Sequence, residues 1–341
     1  MTKTRIGIIG AGFVSQNVHL PCFSSDKRVD IVSICDHEED LLSKVSKKYQ
    51  IKNIYTDYKK MLDNEKLDGV VLAVHRKMTA KIAKLVIEKK IPLLTEKPAA
   101  LNLKTASALS NLAKKKNSKY IVGYMKRNDN GIIYLKKILK KLKFGNLKSV
   151  YYESFLGDSY NNPFEYFQHK DKDYRKKNSL NKNLNSKKMV FIKYLNTFCH
   201  NINLIRYLFG KIKIDYKNIS KKGEGSLIFK TKDNVNVIFN NQFSSAKKWI
   251  EKITLNYDNG KVTVKLPTPL YKNSSATIKM EDYKTGNSYK PWIGWGWSFR
   301  NQARAFVDYI KLPSTKLKNK TLCSSIDGLE DIRIVEKIFY K

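Results

Sequence analysis

Residues 5–15 read RIGIIGAGFVS and join a short apolar run to a glycine-rich turn that opens a helix. In this pattern Gly10 permits a tight turn, and Gly12 leaves no side chain between the backbone and a pyrophosphate. The free N–H groups and the dipole of the following helix favour an anion at that position. We therefore predict that this turn binds a dinucleotide, through Gly10, Gly12, Phe13 and Val14.

An acidic residue, Asp36, follows the second apolar run, which ends at Cys35. This is about the distance from a glycine turn at which a carboxylate accepts hydrogen bonds from the hydroxyls of an adenosine ribose. Because a carboxylate repels a 2′-phosphate, the sequence favours NAD over NADP, although His37 next to it leaves NADP open as the cofactor. The alternative interpretation of Asp36 is a solvated acid at a strand end. Ser15 takes the place of the third glycine of the fingerprint and is small enough for close packing.

The first third of the chain alternates short apolar runs with amphipathic stretches, which is typical of a parallel sheet covered by helices. Strands are predicted at Arg5–Ile9, Asp30–Cys35, Gly69–Val74, Pro92–Thr95 and Tyr120–Val122. Helices are predicted at Glu38–Tyr49, Met78–Lys89 and Leu103–Lys116, the last with Asn102 as its N-cap. We predict an α/β fold that begins with a Rossmann doubly wound parallel sheet over residues 1–123, the dinucleotide-binding domain.

Beyond Gly145 the pattern changes to consecutive strands, which is typical of a mainly antiparallel sheet. These strands are predicted at Lys148–Phe155, Ile212–Ile219, Ser226–Thr231, Val235–Phe243, Lys252–Tyr257 and Lys261–Leu266. Helices are predicted at Gly131–Leu142, Leu195–Phe209, Phe299–Ile310 and Leu329–Tyr340, and a loop over Asn161–Lys188. We predict a second α/β domain over residues 124–341, built on an open, mainly antiparallel sheet, that binds the substrate and forms oligomer contacts.

The stretch Thr95-Glu96-Lys97-Pro98 closes the strand that begins at Pro92. Ligands of an open parallel sheet bind outside the carboxyl ends of its strands, so we expect Val74 and Glu96 to line the cofactor site and Lys97 to point into the crevice. A cationic nicotinamide ring disfavours a protonated lysine beside it, which would suit Lys97 to exchanging a proton or polarising a substrate oxygen. The alternative interpretation is an ordinary surface lysine.

Together with motifs further along the chain, these residues resemble the Gfo/Idh/MocA oxidoreductases, a family that contains glucose-fructose oxidoreductase and inositol dehydrogenase. The resemblance rests on Gly10-Ala11-Gly12, Asp36, Glu96-Lys97-Pro98, Val122-Gly123-Tyr124, His200 on a helix ending Arg206-Tyr207-Leu208-Phe209-Gly210, and the terminal stretches Ala305–Asp308 and Ile332–Glu336. It implies a Rossmann domain followed by an α/β domain, with NAD(P) as the cofactor. The implied reaction is oxidation or reduction of a sugar-like hydroxyl or carbonyl.

The resemblance also implies roles for individual residues. The motif lysine of the family maps to Lys97, which would contact both cofactor and substrate, and its histidine maps to His200. Hydride would pass directly between a sugar carbon and C4 of the nicotinamide while His200 or Lys97 exchanges the hydroxyl proton. Many members carry aspartates four residues before and three after the histidine, whereas this chain has Asn196 and Asn203, which we expect to bind substrate hydroxyls. Tyr124 is expected either at the substrate or packed under the cofactor.

The composition supports a folded protein of two domains, because the 341 residues are 42% hydrophobic and 28% charged. The formal net charge of +36 would attract polyanions, but the lysines are spread along the whole chain, which favours a solvated surface over a nucleic-acid site. No apolar run approaches the roughly 18 residues of a membrane span. The four cysteines are far apart, so we expect reduced thiols in a cytoplasmic protein without a membrane partner.

Several further expectations concern ligands and partners. The histidines show no metal-ligand spacing, so we predict no catalytic metal. The basic clusters Arg175-Lys176-Lys177 and Lys187-Lys188 suggest a nucleotide-activated or acidic sugar as substrate. Trp292–Trp297 would stack on a sugar or a base, or pack at an interface. We expect a homo-oligomer, dimer or tetramer, formed through the outer face of the second sheet. The alternative to an enzyme is a catalytically inactive, dinucleotide-bound sugar sensor or regulator.

Overall fold

The computed structural model describes residues 2–157, 166–170, 186–246, 248–311 and 321–340. These residues form two compact units. The first contains residues 2–124, 166–170, 299–311 and 321–333, and the second contains residues 125–157, 186–246, 248–298 and 334–340. The change at Tyr124 lies beside the predicted boundary between residues 123 and 124, but part of the C-terminal third belongs to the first unit.

The first unit is built on a seven-stranded sheet. Its strands are β1 Thr4–Ile9, β2 Val29–Cys35, β3 Asn53–Tyr55, β4 Gly69–Leu72, β5 Leu93–Glu96, β6 Tyr120–Gly123 and β15 Cys323–Ser324. They lie in the order β15-β6-β5-β4-β1-β2-β3. Strands β1 to β6 are parallel to one another, and β15 is antiparallel to β6. The predicted Rossmann-type parallel sheet is confirmed.

Helices cover this sheet because they place apolar residues on one face. They are a π-helical segment Ser15–His19 that continues into α1 Leu20–Ser24, then α2 Glu39–Tyr49, α3 Tyr58–Asn64, α4 Arg76–Glu88, α5 Leu103–Lys116 and, from the C-terminal third, α8 Ser298–Lys311 and the first turns of α9 Ser325–Tyr340. The side chain of Asn102 accepts a hydrogen bond from the Thr105 N–H at 2.8 Å, as its predicted N-cap role requires. Strand β3 and helix α3 were not predicted.

Helix α8 packs on the sheet at a glycine. A Cβ atom added to Gly69 would lie 2.6 Å from the end of the Ile310 side chain and 3.4 Å from the Phe306 ring, so a larger residue here would push the Ile310 side chain aside. The ammonium of Lys119 donates hydrogen bonds to the carbonyls of Tyr309 and Ile310, at 3.0 and 2.9 Å, and so satisfies carbonyls at the end of the helix. Helix α8 is therefore an integral part of the first unit, although it lies far from β4 in the sequence.

An ion pair near the start of β2 supplies a testable pH dependence. The hydrogen bond from the Arg28 guanidinium, whose Nη2 lies 2.6 Å from Asp26 Oδ2, lowers the pKa of Asp26. Stability from a carboxyl with a lowered pKa is present above its unfolded pKa of about 3.9 and is lost as the pH falls through the folded value. We expect Asp26→Asn to lower the free energy of unfolding by about 1 kcal/mol near neutral pH, since Arg28 is partly exposed.

Urea unfolding near neutral pH and at about pH 3 checks this expectation, because the difference between wild type and variant should shrink at the lower pH. The matched control is Asp30→Asn, which changes an exposed aspartate on β2. A difference that stays constant between the two pH values would contradict the assignment of the stabilising pair.

The second unit is built on an eight-stranded sheet. Its strands are β7 Leu147–Leu156, β8 Ile212–Ile219, β9 Gly225–Thr231, β10 Asn236–Phe243, β11 Trp249–Tyr257, β12 Gly260–Lys265, β13 Thr277–Asp282 and β14 Ser288–Tyr289. They lie in the order β14-β13-β12-β11-β7-β10-β9-β8. Among the described strands of this sheet, β10 and β7 are the one parallel pair. The predicted mainly antiparallel sheet is confirmed, and β13 and β14 extend it.

Side chains alternate between the two faces of this sheet. On β7, Val150 and Tyr152 are buried, whereas Tyr151 between them is 43% exposed. Helices α6 Asn130–Ile138 and α7 Ser186–Phe209 belong to the same unit. Tyr151 and Ile250 leave apolar surface on the outer face, where the expected oligomer contact remains a prediction.

Two expectations concern other parts of the chain. No described helix has the length and apolar character needed to cross a membrane. The predicted loop Asn161–Lys188 and the cluster Arg175-Lys176-Lys177 lie largely or wholly outside the described residues, and helix α7 already begins at Ser186.

Candidate functional site

The glycine-rich turn has the geometry that the sequence predicts. Gly10 has φ +100°, and a Cβ atom there would lie 2.3 Å from the carbonyl oxygen of Ala73 and 3.2 Å from Val74. A side chain at this position is therefore excluded by both strain and space. At Gly12 the position of a Cβ atom has no neighbour within 4 Å. The turn thus leaves open the space that a pyrophosphate needs at the start of the helix.

The residues after the turn bind it to the rest of the first unit. The buried Ser15 hydroxyl donates a hydrogen bond to the carbonyl of Gly10, which explains how a serine replaces the third glycine. Phe13 and Val14 are half-buried, and the Phe13 ring meets the Tyr166 ring edge-on with centroids 5.0 Å apart. A π-helical segment at this point fits the common use of such segments near ligand sites.

Asp36 lies where the sequence places it, directly after β2. Its Oδ2 atom accepts a hydrogen bond from the N–H of Ala11 at 2.8 Å, and its Oδ1 atom lies 2.7 Å from Nδ1 of His37. The carboxylate is thus held beside the glycine turn and is not a loose acid at a strand end. Burial raises the pKa of the neighbouring Cys35 thiol to about 12, which keeps that cysteine protonated and unreactive.

The segment Tyr166–Lys170 lies across this region. Gln16 and Phe167 exchange two hydrogen bonds, from Phe167 N to Gln16 Oε1 at 2.8 Å and from Gln16 Nε2 to Phe167 O at 2.9 Å. His169 Nδ1 lies 2.9 Å from Glu38 Oε2, and the N–H of Lys170 donates to Glu38 Oε1 at 2.8 Å. The segment therefore contacts both the glycine-turn helix and the residues that follow Asp36.

The end of β5 carries the second predicted group. Lys97 is half-buried, and the peptide bond between Lys97 and Pro98 is cis. Glu96 Oε1 lies 2.9 Å from Nε2 of His19, which is buried and therefore has a structural role. Glu96 also lies close to Gly123, where an added Cβ atom would be 3.5 Å from its Oε1. The carboxyl ends of β5 and β6 therefore meet at the position expected for ligand binding.

In the second unit, helix α7 carries the predicted substrate residues. Asn196, His200 and Asn203 follow one another at spacings of four and three residues, so they lie on one face of the helix. Asn196 and His200 are half-buried. Asn203 is 1% exposed, and its Oδ1 accepts a hydrogen bond from Arg127 Nε at 2.6 Å. This contact positions Arg127, whose guanidinium also lies 5.1 Å from the Tyr207 ring.

Tyr124 is the residue after which the chain passes from the first unit to the second, and its side chain is 2% exposed. Its ring lies near Gly328 of α9, where an added Cβ atom would be 3.5 Å from Tyr124 Cε2. This burial favours the packing alternative for Tyr124. Lys97 belongs to the first unit and His200 to the second, so their convergence on one substrate oxygen remains a prediction.

A buried polar network that the sequence did not reveal lies in the second unit. Glu251 is 2% exposed, and its Oε1 pairs with the ammonium of Lys126 and accepts from the hydroxyl of Tyr152. Asn201 donates from Nδ2 to Glu251 Oε1 at 2.9 Å and to Tyr152 at 2.9 Å, and Trp249 Nε1 donates to Glu251 Oε2 at 3.2 Å. Asn201 is the neighbour of His200, so this network fixes the rotation of α7 and the direction of the face that carries His200.

Two other groups differ from the sequence-based expectations. The histidines lack metal-ligand spacing in the sequence, yet the fold brings ligand atoms of Asp36, His37 and His169 within 4.8 Å of one another. In the tryptophan-rich segment, Trp297 is buried and donates to Pro269 O at 2.9 Å. Trp292 and Trp295 are each 81% exposed beside a cavity of about 870 Å³. Only these two indoles are available for stacking.

Comparison with known families and proteins agrees with this geometry. Residues 4–124 match the model of a family described as "Oxidoreductase family, NAD-binding Rossmann fold". Over 102 residues the chain is 30% identical to D-apiose dehydrogenase of Paraburkholderia graminis. This match covers 30% of this chain and 27% of that protein. The chain is 24% identical over 144 residues to inositol 2-dehydrogenase of Salmonella typhimurium, covering 41% and 43% of the two chains. The matches thus span less than half of these relatives.

Solved structures resemble the chain over almost its whole length. One is a 3-ketoreductase from Actinomadura kijaniata in complex with NADP and TDP-benzene, with a TM-score of 0.74, 13% identity, and 99% and 97% of the two chains covered. Another is an oxidoreductase from Agrobacterium radiobacter in complex with NAD+, L-tartaric acid and magnesium, with a TM-score of 0.70, 16% identity, and 98% and 95% covered. At these identities the likeness establishes the fold.

Proposed function

We propose that the chain, whose residues 4–124 match the family model, is a Gfo/Idh/MocA oxidoreductase that transfers hydride between a nicotinamide dinucleotide and the CH–OH or carbonyl carbon of a sugar or nucleotide sugar. The observation that carries the proposal is the glycine turn, where Gly10 is pressed against Ala73 and the space beside Gly12 is open. The named relatives are dehydrogenases and reductases, which supports a catalytic role over a sensor that only binds the dinucleotide.

The residues of the first unit fit a dinucleotide. The backbone from Gly10 to Phe13 would hold the pyrophosphate, and the Asp36 carboxylate, oriented by the Ala11 N–H, would accept the ribose hydroxyls. Val74 and Glu96 lie at the ends of neighbouring strands, where the nicotinamide half would extend. When bound, the nicotinamide supplies the hydride chemistry.

The protein itself supplies position and a proton. Lys97, at the end of β5, would polarise the substrate oxygen and exchange its proton. His200, with Asn196 one turn away on the same face of α7, would bind the same substrate and share the proton transfer. Asn203, which is buried against Arg127, would act by shaping this face rather than through an exposed amide. The buried network around Glu251 keeps the helix in this orientation.

A substrate screen tests the proposal. Purified protein would be incubated with NAD or NADP and a panel of aldoses, polyols and nucleotide sugars, and with the reduced cofactors and the matching ketosugars. Reduction or oxidation of the nicotinamide, read by its absorbance, is the expected result for at least one class. A protein that binds neither dinucleotide would contradict the proposal, and binding without turnover on every class would favour the sensor.

The cofactor preference gives a sharper prediction. We propose NAD as the preferred cofactor, because a 2′-phosphate would face the Asp36 carboxylate, while NADP remains the alternative through the exposed His37. Replacing Asp36 with alanine removes the charged acceptor to which the ribose hydroxyls would donate, so we expect the Kd of NAD to rise by about 10- to 100-fold and that of NADP to fall.

Calorimetric titration of both dinucleotides measures these Kd values. Asp30→Asn serves as the control, because it changes an exposed acid on the same strand far from the turn and should leave both values unchanged. An Asp36→Ala protein that binds NAD as tightly as wild type would contradict the assigned contact.

A further inference from the structure

The fold assembles a group of nitrogen and oxygen donors of which the proposed NAD site uses only the Asp36 carboxylate. Four side chains form it, and we call them the histidine cluster: Asp36, His37 and Glu38 after β2, and His169 in the segment Tyr166–Lys170. His169 Nδ1 lies 2.9 Å from Glu38 Oε2 and 4.0 Å from Asp36 Oδ1, and His37 Nδ1 lies 2.7 Å from the same Asp36 oxygen. The donors of Asp36, His37 and His169 therefore come together from two distant parts of the chain, and Glu38 contacts this group through His169.

We propose that the histidine cluster is a binding site for a divalent transition-metal ion of the Zn²⁺ class. Two imidazoles with carboxylate oxygens are a ligand set that Zn²⁺ accepts and that Mg²⁺ and Ca²⁺, which prefer oxygen ligands only, do not favour. The ligand atoms of Asp36, His37 and His169 already lie within 4.8 Å of one another.

The required adjustment is small. Metal–ligand distances of about 2.0 to 2.2 Å in a tetrahedral site place ligand atoms about 3.3 to 3.5 Å apart. The distance from Asp36 Oδ1 to His169 Nδ1 must shorten from 4.0 Å and that to His37 Nδ1 must lengthen from 2.7 Å. The two imidazole rings are stacked with centroids 5.0 Å apart and planes 20° apart, so they must also turn. The His37 side chain is 48% exposed and has the space to turn its Nδ1 atom toward the shared point.

The local charge favours a cation although the chain as a whole is strongly basic. Four of the five residues from Asp36 to Asp40 are acidic in a chain whose formal net charge is +36. Asp36 and Glu38 would neutralise a divalent ion, since each carboxylate carries one negative charge. The ammonium of Lys170, the cation next to His169 in the sequence, pairs with Asp40.

The position of the cluster links metal binding to the nucleotide site. Asp36 is also the residue that would hold the ribose, so a metal ion on its carboxylate and a dinucleotide would compete for the same group. The ion would also fasten the segment Tyr166–Lys170 to the loop after β2. This competition rests on the proposed function, whereas the metal site itself does not.

Titration of tag-free protein with Co²⁺, which reports bound imidazole and carboxylate ligands by its visible absorption, tests the site, with Zn²⁺ displacing the Co²⁺ signal. We expect His169→Ala and His37→Ala each to weaken Co²⁺ binding by at least about tenfold. His75→Ala, which changes a histidine at the start of α4, is the matched control and should bind Co²⁺ as wild type does. Circular dichroism shows whether each variant is folded, and the exposed His37 gives a second variant if His169→Ala is not.

Co²⁺ binding of wild-type strength in both folded variants would overturn the site. In a second arm, Zn²⁺ should raise the apparent Kd of NAD for wild type and have no such effect on His37→Ala. If Co²⁺ binds through the two histidines while Zn²⁺ leaves the Kd of NAD unchanged, the competition is wrong and the site stands. If the protein binds no dinucleotide without metal, it is the proposed function that fails.

Discussion

Replacing Lys97 with alanine is expected to lower kcat/KM for hydride transfer by about 100- to 10,000-fold, the usual effect of removing a general acid–base group. Lys97 follows β5 at the carboxyl edge of the parallel sheet and is half-buried, and the proposed mechanism places it against a substrate oxygen beside the nicotinamide. Because the glycine turn and Asp36 would hold the other half of the dinucleotide, the Kd of NAD should change far less than the rate. The loss should therefore appear mainly in the chemical step.

Steady-state kinetics on a substrate from the screen, together with NAD titration, measure both quantities. Lys104→Ala is the matched control, since Lys104 is an exposed lysine in α5 that follows the same strand. Lys97→Arg keeps the positive charge but cannot release a proton, so it should remain as slow as Lys97→Ala if proton exchange is the role of the residue. Turnover near that of wild type in both Lys97→Ala and His200→Ala would contradict the mechanism.

Replacing Glu251 with alanine is expected to lower the free energy of unfolding by about 3 to 5 kcal/mol, because it breaks a buried ion pair and leaves a charged partner without its counterion. The carboxylate forms an ion pair with the Lys126 ammonium. It also accepts hydrogen bonds from the Tyr152 hydroxyl, the Asn201 amide and the Trp249 indole. Truncation would leave all four donors to find new acceptors in a place with little water. Urea unfolding followed by circular dichroism measures the loss.

The same sheet contains a control with the same chemistry and different burial. Glu153 and Lys252 pair at 2.6 Å across β7 and β11, with side chains 48% and 37% exposed. Because exposed pairs contribute about 0 to 1 kcal/mol, Glu153→Ala should be nearly neutral. Equal losses for Glu251→Ala and Glu153→Ala would contradict the view that burial gives the network its importance.

Much of the fold could be predicted because local pattern and packing agree. Helix α5 spans Leu103–Lys116 as predicted, since its apolar spacing is regular and Asn102 marks its start. Helix α7 begins nine residues earlier than the predicted Leu195, because the lysines of its first turns hide the apolar spacing. Strand β3 is short and largely exposed, so it shows no hydrophobic pattern, although Asp57 after it is an N-cap signal for α3.

Part of the candidate site could likewise be predicted from the sequence, and part could not. The glycine turn and Asp36 are readable from the sequence because the chemistry of a short segment determines their conformation. Partners brought together by tertiary structure could not be read, because no spacing connects His169 with His37 or Glu251 with Lys126. The hydrogen bond of Asn203 likewise involves a residue distant in the sequence, Arg127, which its position on the helix does not indicate.

The sheet of the first unit and its helical cover are completed only by residues from the C-terminal third of the sequence. The glycine turn is synthesised long before α8, whose residues cover the sheet at Gly69, and before β15, which pairs with the edge of β6. During synthesis part of the apolar face of the first unit therefore stays uncovered until the residues as far as Ser324 have been made.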